Sequence, residues 1–100
     1  MEVKIVATKD LPVGKMKGIV TQGKRILVAN VDGKYYAIAN ICKHEGRTLS
    51  DGILTGEKIE GPCHGSTYDV RTGAVLKGPA ESPEPSFKQK VDSDQIYFVV

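Results

Sequence analysis

Cys42-Lys43-His44 and Cys63-His64 contain both cysteines and both histidines of the chain. Thiolate and neutral imidazole are the side chains that bind zinc and iron well at neutral pH. Two short segments that each carry one sulfur and one nitrogen therefore point to a shared metal site. The alternative is two small buried thiols and two surface imidazoles, which would have to fall together between positions 42 and 64 by accident. A disulfide would use the same sulfurs. Each cysteine, however, sits beside a histidine in a loop rich in glycine and proline, which suits a ligand better than a structural staple.

The elements that must position these residues read as β-structure throughout. Lys4 to Ala7 alternates as a strand, and Leu11-Pro12-Val13-Gly14 is a turn that no helix would tolerate. Met16 to Thr21 and Arg25 to Val31 are two further strand runs. Asp32-Gly33 joins the second of them to Tyr35 to Ala39, and Asp-Gly between two such runs is a strong hairpin signal because both positions need positive φ. Ser86 to Val91, an Asp92-Ser93-Asp94 turn and Ile96 to Val100 repeat the scheme at the C-terminal end. No segment holds a helical period, and the best helical candidate, Glu45 to Ser50, contains Gly46.

Between these halves the texture changes. Residues 40–79 hold seven of the eleven glycines (46, 52, 56, 61, 65, 73 and 78). Their strands are short: Lys58 to Glu60, Thr67 to Val70 and Ala74 to Leu76, the last two joined by a tight turn at Arg71-Thr72-Gly73. The reading is one all-β domain, an antiparallel β-sandwich framework from residues 1–39 and 80–100, with residues 40–79 inserted as a small metal-binding lobe whose backbone wraps something closely. Gly78 to Pro85 carries three of the five prolines, a stiff extended return to the framework.

Composition excludes several classes. A net charge of +2 with interspersed signs and no tryptophan argues against nucleic acid, and Lys15, Lys17, Lys24 and Arg25 read as a solvated face. No apolar run reaches the length of a membrane span, and Met1 leads directly into a strand pattern rather than a signal sequence. The expectation is a soluble, cytoplasmic monomer whose thiols stay reduced. Glu45, Asp51, Glu57 and Glu60 are scattered over turns and form no paired-carboxylate catalyst. Cys63 as a nucleophile with its adjacent histidine is disfavoured, since adjacent side chains diverge and no orienting carboxylate is evident.

Ile41-Cys42-Lys43-His44-Glu45-Gly46 and Gly61-Pro62-Cys63-His64-Gly65-Ser66-Thr67-Tyr68-Asp69 resemble the two cluster-binding loops of Rieske ferredoxins. The likeness continues through Leu49-Ser50-Asp51-Gly52, Ile59-Glu60, Arg71-Thr72-Gly73 and Gly78-Pro79-Ala80. It implies a 2Fe–2S cluster held by two cysteines on one iron and two histidines on the other, and one-electron transfer in place of catalysis. It also implies partners: a flavin reductase and a terminal oxygenase or other acceptor. In the family, hydroxyls at the positions of Ser66 and Tyr68 hydrogen-bond cluster or cysteine sulfur, and a proline at the position of Pro79 covers the cluster. Taken alone, Ser66 would complete a turn and Tyr68 would fill core.

One position departs from the family. Its pattern is C-x-H, then C-x-x-H. Cys42, His44 and His64 fit, but three residues before His64 stands Gly61, which has no side chain. Cys63 matches the bridge cysteine of high-potential members, whose partner position is Arg47 here. Three accounts stand open. An inner-iron ligand has been removed, by engineering or mutation, from an otherwise intact carrier. Cys42, His44, Cys63 and His64 hold a single Fe or Zn ion. Or the chain keeps only the fold. The corresponding functions are a Rieske-type electron carrier or a metal-stabilised, non-redox binding module.

Overall fold

The computed structural model describes residues 2–21, 23–40, 48–61, 66–77 and 86–99. Eleven strands lie in chain order: β1 (Glu2–Ala7), β2 (Met16–Thr21), β3 (Lys24–Val31), β4 (Lys34–Ala39), β5 (Ile53–Thr55), β6 (Lys58–Glu60), β7 (Thr67–Asp69), β8 (Val75–Lys77), β9 (Ser86–Phe87), β10 (Gln89–Asp92) and β11 (Gln95–Val99). Two single 3-10 turns, Thr8–Asp10 and Leu49–Asp51, are the sole helical pieces among the described residues. The strands form three antiparallel sheets, ordered β1-β11-β10, β2-β3-β4-β9 and β5-β6-β7-β8. The all-β, antiparallel expectation holds.

β3 explains how the sheets stack. Residues 26–31 are all buried, which alternation on a half-solvated strand cannot produce. Ile26 and Val28 face a core with Ile5, Val6, Leu11, Ala37, Ile96 and Phe98. Leu27, Ala29 and Val31 face the opposite core, with Ile38, Leu49, Ile59, Tyr68 and Val70. The sheet containing β3 is therefore the middle layer, with the terminal sheet on one face and β5–β8 on the other. A register shift between Lys4 and Val6 in the pairing of β1 with β11 lets the consecutive Ile5 and Val6 both reach the core, which a regular pleat would forbid.

The turns form where the sequence asks for them. Asp32 and Gly33 have φ of 53° and 87°, and β3 and β4 pair in register from Val31↔Lys34 to Ile26↔Ala39. Ser93 and Asp94 make the same kind of turn with φ of 51° and 64°, a glycine-free version in which a small hydroxyl and an Asx side chain tolerate the left-handed region.

Two expectations need correction. Ser86 to Val91 is not one strand: β9 pairs with β4, β10 pairs with β11, and the chain changes sheets at Lys88. Phe87 turns inward there and meets Phe98 edge-on, ring centroids 5.7 Å apart. The 52–60 segment also contains a strand beyond those expected, β5, paired with β6 from Ile53↔Glu60 to Thr55↔Lys58 around Gly56. Lys15, Lys17, Lys24 and Arg25 are all exposed, as a solvated face requires.

Candidate metal centre

Cys42, His44, Arg47, Cys63, His64 and Pro79 lie outside the described residues, and so does the expected convergence of the two imidazoles. What the structure describes is the roots of the two Cys/His segments and the elements that hold them. Among the described residues no other cluster of His, Cys, Asp and Glu is able to hold a metal ion.

The first segment leaves the end of β4 at Asn40 and returns at the 3-10 turn Leu49–Asp51. Asn40 N donates to Arg25 O at 3.0 Å, which extends the β3–β4 pairing one step. Its side chain then spans the loop root. Asn40 Oδ1 accepts from Ser50 N at 2.8 Å, and Asn40 Nδ2 donates to Ser50 Oγ at 3.0 Å. Thr48 Oγ1 donates to Asp51 Oδ2 at 2.6 Å, and the Leu49 side chain is fully buried in the core shared with β6 and β7.

The second segment leaves β6 at Gly61 and enters β7 after Ser66. Gly61 N donates to Ser66 O at 2.8 Å, closing the root. Ser66 and Tyr68 are fully buried, and the Tyr68 hydroxyl is itself out of contact with solvent. The Tyr68 ring packs in the core between β3 and the small sheet, so it fills core as an ordinary strand tyrosine would while carrying a polar tip into the interior.

The roots meet at Gly61. A Cβ built there lies 3.2 Å from Leu49 Cδ2 and 3.6 Å from Ser66 O. Leu49 belongs to the end of the first segment and Ser66 to the end of the second, so both are anchored around one backbone position. As a test of the family's ligand set, the result is mixed. Cys42, His44 and His64 are the right residue types at the right spacing. Position 61 has no donor, and a leucine methyl crowds the space its side chain would enter.

The turn from Asp69 to Gly73 stiffens the far side of this sheet. Gly73 N donates to Asp69 O at 2.6 Å. Asp69 Oδ1 accepts from Arg71 N at 2.9 Å and Arg71 Nε at 3.1 Å, and Oδ2 accepts from Arg71 Nη2 at 2.9 Å. The Arg71 side-chain bonds hold the Asp69 carboxyl below its usual range. A lowered carboxyl pKa contributes stability that is full above the unfolded value of ~3.9 and is lost as pH falls through the folded value. Because Arg71 is half exposed, solvent screens the pair and the contribution is small. Asp69→Asn should thus lower the melting temperature near neutral pH, the difference fading in acid below pH ~3.9. Thermal melts across that range test it, and a pH-independent difference would exclude the ion pair as its source.

Sequence reasoning missed Asn40. The signal was available: a carboxamide stands two residues before Cys42, at the end of an apolar strand, where a buried polar group must find partners. Leu49 and Ser50 belong to the motif by sequence, but that Ser50 partners this amide and Leu49 packs at Gly61 is a property of the fold.

Comparison with known proteins gives a consistent result. Residues 1–89 match the family described as Rieske [2Fe-2S] domain. The ferredoxin component of the naphthalene 1,2-dioxygenase system of Pseudomonas aeruginosa is 33% identical over 91 residues, covering 91% of this chain and 88% of that one. The solved ferredoxin of carbazole 1,9a-dioxygenase from Nocardioides aromaticivorans IC177 superposes with a TM-score of 0.92 at 29% identity, covering 98% of this chain and 96% of that one. A solved complex of reduced oxygenase and oxidized ferredoxin in carbazole 1,9a-dioxygenase contains a chain similar at TM-score 0.91 and 30% identity, covering 97% and 91%.

Proposed function

The chain belongs to the Rieske 2Fe–2S family, and from that premise we propose that it is a one-electron carrier that takes electrons from a flavin reductase and delivers them to an oxygenase or a similar acceptor. It is an electron-transfer protein, not itself an enzyme. The observation that carries the reading is the meeting of the two loop roots at Gly61, with Leu49 and Ser66 packed around it. That arrangement brings the return of the first Cys/His segment and both ends of the second to one backbone position.

When bound, a histidine-ligated 2Fe–2S cluster supplies a one-electron couple whose potential is raised because two neutral imidazoles replace two thiolates. The chain's own contribution is to orient and to exclude water. Cys42, His44 and His64 take three ligand positions, and Cys63 is the remaining thiolate of the chain. Ser66 and Tyr68 are buried where the second segment returns to β7, and a hydrogen bond from their hydroxyls to sulfur would favour the reduced state. Pro79 matches the family proline that covers the cluster.

Residues 40–79 act as the metal lobe and the remainder as framework, within one domain. Their joint core of Leu27, Ile38, Leu49, Ile59 and Tyr68 supports that division of labour. A cytoplasmic setting keeps the thiolates reduced. No helix among the described residues is long and apolar enough to cross a membrane.

Gly61 bears on nuclearity. With no side chain there, either Cys63 completes the donor set, around two irons or a single Fe or Zn ion, or the inner iron lacks a protein thiolate. Metal and acid-labile sulfide analysis with a visible spectrum separates these outcomes. Iron and sulfide in equal amounts with a visible chromophore is the expected result. Iron without sulfide indicates a single ion, and colourless zinc would overturn the carrier reading in favour of a non-redox module.

A further inference from the structure

Asn40 marks the point where β4 ends and the first Cys/His segment begins. Its main chain is tied to β3 through Arg25 O, and its carboxamide makes two hydrogen bonds to Ser50, to the backbone N–H and to the hydroxyl. Asn40 is 4% exposed and both bonds are partly buried, where an unmet partner costs more than on the surface. Gly18 of β2 stands beside them. A Cβ on Gly18 would lie 2.6 Å from both Asn40 Nδ2 and Ser50 Oγ, so the absence of a side chain there leaves the clamp its place. Beyond Ser50, the neighbouring Leu49 reaches Gly61, and Gly61 holds Ser66. A continuous set of contacts therefore runs from the central sheet, through one carboxamide, to the roots of both Cys/His segments.

We propose that Asn40 is a positioning residue for the metal centre: its carboxamide, backed by Gly18, sets where the segment carrying Cys42 and His44 stands relative to the one carrying Cys63 and His64. The inference rests on the reading of those four residues as ligands. It holds for two irons or for a single ion, since it concerns the loop root alone. Asn40 acts through Ser50 and the loop backbone. A core role alone does not call for this residue type, because an apolar side chain would fill the same site without needing two matched partners. A bidentate amide fixes orientation as well as position, which close ligand geometry needs.

Asn30 supplies a matched control. It is 3% exposed, donates through Nδ2 to Leu11 O at 2.8 Å and accepts from Gly33 N at 2.9 Å. It makes the same kind of two-bond clamp, toward the opposite end of β3 and within the framework. In protein loaded with iron and sulfide, Asn40→Ala and Gly18→Ala should release iron to a chelator about 10–100-fold faster than the parent, the usual range for outer-shell partners, and should shift the visible and electron-paramagnetic-resonance spectra. Asn40→Asp, which keeps the acceptor for Ser50 N–H, should fall between. Asn30→Ala should lower the melting temperature without changing release or spectrum. Asn40→Ala releasing iron no faster than Asn30→Ala overturns the proposal. Hydrogen exchange on metal-free protein reads the clamp separately: Ser50 N–H should lose protection in Asn40→Ala and Gly18→Ala and keep it in Asn30→Ala. A parent chain that takes up no metal refutes the ligand reading instead, and Ser50 exchange then still decides the clamp, with unchanged protection overturning it.

Discussion

Replacing Gly61 by cysteine is expected to produce a chain that assembles and holds a 2Fe–2S cluster far more firmly than the parent. Position 61 lies three residues before His64, the family's spacing for the inner-iron thiolate, and its backbone is anchored by the bond to Ser66 O. Its φ lies outside the left-handed region, so a side chain meets no backbone strain there. The one steric demand is on Leu49, whose Cδ2 would sit 3.2 Å from the new Cβ. A terminal methyl gives way by a few tenths of an ångström at little cost. A restored ligand should slow iron release by more than the ~10–100-fold that outer-shell changes achieve.

The companion variant assigns Cys63. In the Gly61→Cys background, Cys63→Ser should leave the cluster intact, because Cys63 matches only a bridge position whose partner is Arg47. In the parent, the same change should abolish metal binding if Cys63 completes the donor set. Metal content, sulfide content and visible spectrum of the three variants decide the matter. Failure of Gly61→Cys to gain a cluster would refute the missing-ligand account, and parent-like metal binding by Cys63→Ser would remove Cys63 from the donor set.

Gly52→Ala should be the most damaging single methyl in the described chain. A Cβ at Gly52 would run into Glu60 O, an atom of the facing strand's backbone. No side-chain rotation relieves that contact, so either β5 parts from β6 or the segment 48–52 moves. Either way Leu49 is drawn from the core it shares with Ile59 and Tyr68. Overpacking typically costs 1–3 kcal/mol, and a backbone collision belongs at about the top of that range. For a domain of this size, ~3 kcal/mol is a fall in melting temperature of about 12–24 °C. Gly14, Gly23 and Gly33 would meet nothing within 4 Å, so a β-carbon there adds only the local strain of positive φ. A Gly52→Ala melt within a few degrees of the parent would show that the β5–β6 approach is looser than described.

The donor types, the hairpins and the all-β character are local properties. Asp32-Gly33 makes its turn wherever it stands, because few residue pairs accept two positive φ values. Cys42, His44, Cys63 and His64 point to metal chemistry by residue type alone, and the resemblance to the Rieske pattern marks Gly61 as the position without a side-chain donor. Layering is not local. The run from Ile26 to Ala29 is apolar on both faces, and nothing within it says which sheet covers which face. Only the approach of β6 and β7 on one side, and of β1 and β11 on the other, assigns Leu27 and Ile26 to different cores. The change of sheet at Lys88 was hidden for a related reason: a strand pattern records which residues pair, not with whom. The tie from Asn40 to Ser50 lies further still from the sequence. A buried carboxamide must find partners, but which ones it finds depends on β2, β4 and the Leu49 turn arriving at the same place.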